Sequence, residues 1–366
     1  MTAAAQTRAL RTRRLSLIVA AFAIGTSVVL TWLHPSDFAG AYRFALLAWF
    51  EPAVGSLIFL LIYRCTGGQW GEALQPFLGA GIRFLPWLWL LLLPLIWLAP
   101  ASRTLDPSVQ GSLRIYLSTT ALGLRGIVYA IVFFVFWWLA RPAGETPGHT
   151  AWGARLAGFG PVGLIVLAFT LHLLAVDWLF ALDPGWYSTA FPLIWMAGQA
   201  MMGLSLAVLV ALLFGFDPKA KGSSHRALGL DWGNLLLTCT IFWAYVSFMQ
   251  FLIIWSGNIA QEVTWYVHRS HGLWLVIVVG LALGNLALPF FLLLSRDLKQ
   301  RARSLGGIAA LLLFCQFVYT AWLILPSYPG ATLLTYALDF ALLAAAGGLF
   351  FNRYLAVAAA LSPSRP

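Results

Sequence analysis

Residues 272–294 read GLWLVIVVGLALGNLALPFFLLL and contain no charged side chain. A helix needs about 20 mostly apolar residues to cross the hydrocarbon core of a bilayer, so this stretch has the length and composition of a membrane span. Backbone amide groups find no hydrogen-bond partners in lipid, and the stretch lacks the alternating pattern of a barrel strand. The span is therefore expected to be an α-helix.

Stretches of the same kind recur along the whole chain, in which 61% of the 366 residues are hydrophobic and 9% are charged. No soluble core of ordinary size absorbs so large an apolar fraction. Length and hydropathy predict ten transmembrane helices, at about 15–34, 42–63, 79–99, 117–140, 156–176, 191–216, 232–255, 272–294, 305–326 and 332–351. The connecting segments are too short for a folded extramembrane domain. We therefore expect residues 1–366 to form a single all-α polytopic membrane domain.

The basic residues fall mainly in alternate gaps between the apolar runs. The chain has 22 Lys and Arg residues against 12 Asp and Glu, which gives a net charge of +10. The other side of the membrane keeps only Arg43, Arg103, Arg114 and Arg269, and Arg125 lies inside a span. Because basic loops stay in the cytoplasm, this asymmetry predicts that both termini are cytoplasmic. The net charge then follows from membrane insertion and suits anionic lipid headgroups, so it does not indicate binding to nucleic acid.

Sequence signatures of redox and nucleotide cofactors are absent. Cys65, Cys239 and Cys315 are scattered and form no C-x-x-C pair, haem-attachment site or iron–sulfur run. Of the six histidines, only His172 lies clearly inside a predicted span, whereas a membrane cytochrome b needs facing pairs of histidines. Neither a Walker loop nor a Rossmann glycine pattern occurs. We expect no metal site, no covalently bound cofactor and no redox centre in this chain.

Ionisable side chains inside membrane spans are costly and are functional candidates by default. Converted to depth at about 1.5 Å per residue, Glu51, Arg125 and His172 fall in the outer half of their spans. Gln250 and Asp339 do the same. The shared depth predicts one polar site that opens to the outer face, suited either to a quinol headgroup or to a proton path.

A purely structural interpretation of the same residues stays open. Glu51 and Arg125 would then neutralise each other as an ion pair between helices. His172 would donate a hydrogen bond to a backbone carbonyl, and Gln250 would hold helices together. Asp339 has no obvious charged partner at its level.

Two segments at the outer ends of helices are dense in polar and aromatic residues. They read DWLFALDPGWYST at 177–189 and WSGNIAQEVTWYVHR at 255–269. Four ionisable groups would share this membrane face: Asp177, Asp183, Glu262 and Arg269. His172, with Asp177 five residues further on, is the best candidate for taking a proton from a quinol, with a water molecule linking the two. The alternative is that both segments are helix caps and aromatic anchors.

Several motifs in the same order carry a resemblance to a known family. They are TGGQW at 66–70, the segment 177–189, GLDWGNL at 229–235, FWAYVSFMQFLIIWSGN at 242–258, EVTWY at 262–266, Arg269, and LPFFLLLSR at 288–296. With these motifs the chain resembles the ActF subunit of alternative complex III, a bacterial quinol:cytochrome c oxidoreductase, within the NrfD-like family. The resemblance spans most of the chain and is densest from 172 to 296. It implies a pair of four-helix bundles with flanking helices.

The resemblance also implies partners, cofactors and a location. The implied partners are a related ten-helix sister subunit, a periplasmic iron–sulfur protein, c-type cytochrome subunits and a terminal oxidase, all in or at the bacterial inner membrane. Haem and iron–sulfur clusters would belong to these partners, and quinone or menaquinone is the one cofactor implied for this chain. Residues 172–177 and 250–262 map onto the family's outer polar region. We do not expect the isolated chain to be active.

We therefore expect a subunit that contributes a quinol pocket, a proton path or both. One alternative is a secondary transporter with Glu51, Arg125 and Asp339 as its substrate and proton site, which predicts repeated halves and broken helices near the midplane. We find no internal repeat in the sequence. The other alternative is a structural membrane anchor, which would keep electron transfer and proton release when charges are removed at Glu51, Arg125 and His172.

Overall fold

The computed structural model describes residues 3–96, 115–116, 118–141, 156, 158–183, 186–220, 227–328 and 331–361. Helices are the regular elements in these ranges. The first seven are α1 (Ala3–Leu33), α2 (Phe38–Thr66), α3 (Gln69–Ile82), α4 (Leu85–Leu92), α5 (Thr119–Ala140), α6 (Gly160–Trp178) and α7 (Phe191–Leu213). The remaining seven are α8 (Leu228–Gly257), α9 (Ala260–Arg269), α10 (Gly272–Leu281), α11 (Leu288–Leu294), α12 (Arg296–Lys299), α13 (Ala302–Ile324) and α14 (Leu333–Leu361).

Ten helical stretches within the described ranges are long and apolar enough to cross a membrane. The third consists of α3 and α4, and the eighth consists of α10 and α11 joined by a π-helix at Ala282–Ala287. Helix α9 is too short to cross. The prediction of an all-α protein with ten spans is confirmed.

Several helices extend beyond the predicted apolar runs. The third crossing begins at Gln69, ten residues before its predicted start, and the predicted end of that span, 97–99, lies outside the described residues. Gly67 and Gly68 adopt positive φ angles of 65° and 99° and turn the chain directly from α2 into α3. Because α3 begins with polar residues, a count of apolar residues does not detect its first turns.

The spans are arranged as two groups of four with two flanking helices. One group contains α2, α3 with α4, α5 and α6, and the other contains α7, α8, α10 with α11, and α13. Helices α1 and α14 pack along each other, and α14 also packs on α2. The side of the molecule at which α9 lies is called the α9 side below; the positive-inside prediction makes it the outer face.

The two groups meet where α2 crosses α7. A Cβ atom added to Gly55 would overlap the carbonyl oxygen of Gln199, and one added to Gly203 would overlap the backbone of Gly55. Small residues permit such close backbone approach between membrane helices. Just before this crossing, Pro52 lies inside α2 and removes one helical hydrogen bond. The crossing places the middle of α2 against the second group of helices.

Candidate functional site

Glu51 is buried at the centre of the helix assembly, with 1% of its surface exposed. Two donors from the second helix group bind its carboxyl group. Nε1 of Trp195, on α7, donates to Oε1 at 2.9 Å, and Oγ1 of Thr320, on α13, donates to Oε2 at 2.9 Å. Both donors are neutral, so within the described part of the chain Glu51 lacks an ion-pair partner.

The Thr320 hydroxyl group has a second acceptor, the backbone carbonyl of Gln316 at 3.0 Å. A hydroxyl group carries one hydrogen, which it donates to one oxygen while its own oxygen can accept. When Glu51 is ionised, Thr320 donates to the carboxylate. When Glu51 is protonated, Glu51 donates to the Thr320 oxygen and Thr320 donates to the Gln316 carbonyl. Rotation of one hydroxyl group therefore satisfies both protonation states.

Two buried amide side chains lie one helical turn from these donors. Gln199 follows Trp195 on α7, and Gln316 precedes Thr320 on α13. The side-chain nitrogen and oxygen atoms of both glutamines are buried and unbonded to any described residue. An unpaired buried polar group costs about 1–3 kcal/mol, and buried water commonly satisfies such groups. The surroundings of Glu51 are therefore suited to ordered water molecules.

Tyr319 extends the polar region from Glu51 toward the α9 side. Its buried ring stacks on Trp322 with a centroid distance of 5.9 Å. It is close enough to interact electrostatically with Glu51, Tyr266 and Arg269. Because Glu51 lies in a span and Arg269 ends α9, Tyr319 is within electrostatic reach of one group in the membrane interior and one at the α9 side.

Arg269, at the end of α9, has 1% of its surface exposed. Its guanidinium group donates to the carbonyl oxygens of Trp265 at 3.1 Å and Leu323 at 3.0 Å. It also donates to the Ser327 hydroxyl at 2.9 Å and lies 3.5 Å from the Asp183 carboxylate. Burial lowers the pKa of Arg269 to about 10, against the opposing effect of Asp183, so the group stays charged at neutral pH. Arg269 thus ties α9 to α13 and to the segment after α6.

Asp183 connects the buried arginine to the surface. Its carboxylate lies 3.8 Å from Nδ1 of His268, whose side chain is 61% exposed. The Asp183 side chain itself is 17% exposed. Asp183 and Arg269 therefore form an ion pair at the α9 side, and Tyr319 is within electrostatic reach of both Arg269 and Glu51.

Aromatic stacking holds the two outer segments together. Trp186 stacks on Trp265 with a centroid distance of 4.8 Å, and its Nε1 donates to the backbone carbonyl of Glu262 at 3.0 Å. The structure thus brings together Asp183, Glu262 and Arg269, as predicted, although Glu262 makes this contact through its backbone.

A second polar cluster joins α5 to α6. Arg125 binds Asp177 with two hydrogen bonds, from Nε at 2.9 Å and from a terminal nitrogen at 2.8 Å. Tyr129 also donates to Asp177 at 2.8 Å, and Arg125 donates to the Tyr116 carbonyl at 2.8 Å. The structural alternative, an ion pair between Glu51 and Arg125, is therefore wrong. Equal depth does not decide which helices face each other: α5 lies against α6, whereas Glu51 faces α7 and α13.

His172 joins neither cluster. It is half-buried on α6 and makes no hydrogen bond with a described residue. Asp177 follows five residues later, about 140° further around the helix, and its carboxylate already accepts three hydrogen bonds. The two side chains therefore make no direct contact in the described residues, and the water link between them stays a prediction.

Asp339 and Gln250 lie in two further places. Asp339 is 2% exposed and lines a cavity next to Asp37, with no hydrogen bond to any residue that the structure describes. Gln250 is buried in α8, and both of its amide atoms lack partners in the described ranges. Glu51, Arg125 and Asp339 therefore have three different surroundings and do not share one site.

The two clusters are completed by neutral side chains, which a search of the sequence for ionisable groups does not find. They are Trp195, Thr320, Tyr319, Tyr129 and Tyr116. A usable pattern was present, because Trp195 and Gln199, like Gln316 and Thr320, are four residues apart and share a helix face. When two spans each carry polar residues four positions apart, the two helices are expected to face each other along those residues.

Two features of the described residues bear on cofactor binding: the grouping of possible metal ligands and an apolar cleft. Among them, no group of three or more His, Cys, Asp or Glu side chains could hold a metal ion. An apolar cleft of about 370 Å³ lies between α2, α6, α7 and α8, with Ile62, Leu171 and Met196 in its lining. Its polar lining residues are Thr238 and Cys239. The cleft suits a hydrocarbon tail and offers no carboxyl or imidazole group for a quinol proton.

Comparison of the sequence with protein-family models and with curated proteins gave no match. The resemblance to the ActF-like family therefore remains an expectation from the quoted motifs. The chemistry of the site rests on its geometry: a central carboxyl group with neutral donors, unpaired amides beside it, and Tyr319 within electrostatic reach of both Glu51 and Arg269.

Proposed function

We propose that this chain is a subunit of a respiratory quinol:cytochrome c oxidoreductase of the alternative complex III kind, and that it conducts protons between Glu51 and the α9 side. The complex would lie in the bacterial inner membrane. The observation that carries the proton path is the buried Glu51 carboxyl group, held by neutral donors and continued by Tyr319 and Arg269. Membership of the complex rests on the motifs between 172 and 296.

The proton path uses Glu51 as its central carrier. An ionised carboxylate there is a buried charge without a countercharge, which is costly, so ionisation is transient. Thr320 rotates between the carboxylate and the Gln316 carbonyl as the proton leaves and returns. Water bound by the unpaired amides of Gln199 and Gln316 carries the proton to and from Glu51.

At the α9 side, the path ends at Asp183. Arg269 is a fixed positive charge that sets the potential along the path and keeps Asp183 in place. Asp183 is partly exposed and adjoins the exposed His268, so water reaches the path beside this ion pair. Tyr319 is within electrostatic reach of Glu51 and Arg269 and, in this proposal, provides a hydroxyl group for water in the passage.

A quinol pocket at His172 and Asp177 has less support. Asp177 already accepts hydrogen bonds from Arg125 and Tyr129, so it has little capacity left for a quinol hydroxyl group. In this proposal, electrons from quinol pass through partner subunits.

The secondary-transporter alternative also has less support. Its three proposed site residues, Glu51, Arg125 and Asp339, lie in different surroundings. Two spans are interrupted: the third between α3 and α4, and the eighth at its π-helix. These interruptions fall in the second helix of one group and the third helix of the other, whereas inverted repeats predict corresponding positions.

The first experiment tests membership of the complex. The tagged chain is purified in a gentle detergent, and the co-purifying material is examined for c-type haem and iron–sulfur spectra. The proposal expects both signals in a stable assembly. A colourless single chain from cells that respire on quinol would overturn the assignment to the complex.

The second experiment tests the proton path in the purified complex reconstituted into liposomes. Glu51→Gln keeps the shape and both hydrogen-bonding atoms but carries no transferable carboxyl proton. We expect the complex to assemble with its haem content unchanged and to lose proton translocation per electron transferred. The matched control is Glu72→Gln, at an exposed glutamate on the opposite side of the membrane domain. Unchanged proton translocation in Glu51→Gln would show that Glu51 is structural.

A further inference from the structure

A polar cavity of about 190 Å³ lies on the α9 side, outside both four-helix groups. It is enclosed by the start of α2, the chain after α13 and the start of α14. The oxygen-bearing side chains in its lining are Ser36, Asp37, Tyr328, Thr335, Tyr336 and Asp339. None of them belongs to the proposed path from Glu51 to Asp183, so this cavity is a separate feature of the molecule.

Asp339 is the most informative group in this cavity. It is six residues into α14, about 9 Å along the helix, and only 2% of its surface is exposed. Although the carboxyl group lines the cavity, it accepts no hydrogen bond from any described residue. Asp37 differs, because it accepts hydrogen bonds from Thr335 at 2.6 Å and from Ser36 at 3.0 Å. The carboxyl oxygens of Asp339 therefore face the cavity and can still accept hydrogen bonds or bind a cation.

With both carboxyl groups ionised, the charges around the cavity leave one negative charge in excess. Two carboxyl groups face it, and one guanidinium group, that of Arg43, lies beside it and donates to the Tyr328 hydroxyl at 2.9 Å. No lysine or histidine is among the lining residues. One monovalent cation would balance the two carboxylates and the guanidinium group.

We infer that this cavity binds a single hard monovalent cation, sodium in the first place, between Asp37 and Asp339. All side-chain donor atoms of the lining are carboxyl or hydroxyl oxygens, the ligand type that hard cations prefer. The volume also leaves room for water molecules that complete the ligand set. The cation joins the start of α2 to the start of α14 and so stabilises the packing of the flanking helices. This inference is independent of the proposed proton path.

The test measures sodium binding to the purified full-length chain, in its complex if it is isolated as one. Equilibrium dialysis with radioactive sodium is run at constant ionic strength, with N-methylglucamine as the replacing cation. The expected result is saturable binding of one sodium ion per chain. We expect Asp339→Asn to weaken binding at least about tenfold, since loss of one ligand contact of about 1.4 kcal/mol has that effect. Glu72→Gln should bind sodium like the unmodified protein.

Thermal unfolding gives a second readout with the same variants. Sodium should raise the unfolding temperature of the unmodified protein above its value in N-methylglucamine, and this difference should vanish in Asp339→Asn. If Asp339→Asn does not fold, Asp37→Asn replaces it, with the same expected loss. Absence of saturable sodium binding would overturn the inference. Equal sodium binding by a folded carboxamide variant would do so too.

Discussion

Replacement of Arg125 by methionine should destabilise the protein by about 3 kcal/mol. The change removes the two hydrogen bonds to Asp177 and leaves that carboxylate buried with Tyr129 as its remaining donor. Removal of one member of a buried ion pair costs about 3–5 kcal/mol. The lower end applies because the Arg125 side chain is 18% exposed and because Tyr129 continues to stabilise the charge. The free energy of unfolding is measured by titration of mixed micelles with a denaturing detergent, followed by circular dichroism.

A double-mutant cycle identifies the partner of Arg125. Asp177→Asn alone should also destabilise, but the double variant Arg125→Met with Asp177→Asn should be less destabilised than the two single changes together, with a coupling of about 2 kcal/mol. The matched comparison combines Arg125→Met with Glu51→Gln. These two should add to within about 0.5 kcal/mol, because their side chains share no partner. Strong coupling to Glu51 together with additivity at Asp177 would refute the pairing.

The remaining predictions concern packing and the α9 side. Gly55→Ala should cost about 1–3 kcal/mol or more, because the added methyl group overlaps the Gln199 carbonyl. The same change at Gly280, a helical glycine with open space around it, should stabilise by up to about 1 kcal/mol, and equal effects at the two sites would contradict the close crossing of α2 and α7. Arg269→Lys should lower the free energy of unfolding by about 1.5–3 kcal/mol, because an ammonium group cannot reproduce the planar fork of donors. Ser327→Ala, which removes one neutral acceptor of Arg269, should cost less, and the same detergent titration compares the two.

The helical fold was accessible from the sequence because composition and run length suffice for it. Stretches such as 272–294 have no other stable form in lipid. Helix ends were less accessible, since hydropathy reports the apolar part of a helix and not its polar first turns. Helix α3 shows the limit: it begins at Gln69, directly after two glycines with positive φ, before the apolar run starts.

Side-chain partners were the part that the sequence could not supply. Similar depth led to the prediction of one polar site, but the rotation of each helix and its neighbours decide which groups touch, and Glu51, Arg125 and Asp339 have different surroundings. Helix rotation and neighbours depend here on the crossing of α2 and α7. Two glycines permit this crossing, and the hydropathy of the sequence does not reveal it. Similar depth therefore allowed an ion pair between Arg125 and Glu51, although the helix of Arg125 lies against α6 and its partner is Asp177. The grouping of Asp183 with Arg269 was predicted correctly because both lie in short segments at the same membrane face.

The two buried carboxyl groups, Asp177 and Glu51, show why one suits structure and the other suits proton transfer. Asp177 faces a guanidinium group in a bidentate geometry, so its negative charge is stabilised and protonation would sacrifice strong hydrogen bonds. Glu51 faces an indole and a hydroxyl group, which bind its charged and neutral forms through rearrangement of one hydrogen atom. A group that exchanges protons must keep the two forms close in free energy, and neutral, rotatable donors do so better than a fixed opposite charge. The same reasoning assigns Arg269 a supporting role, because it remains charged while Glu51 changes state.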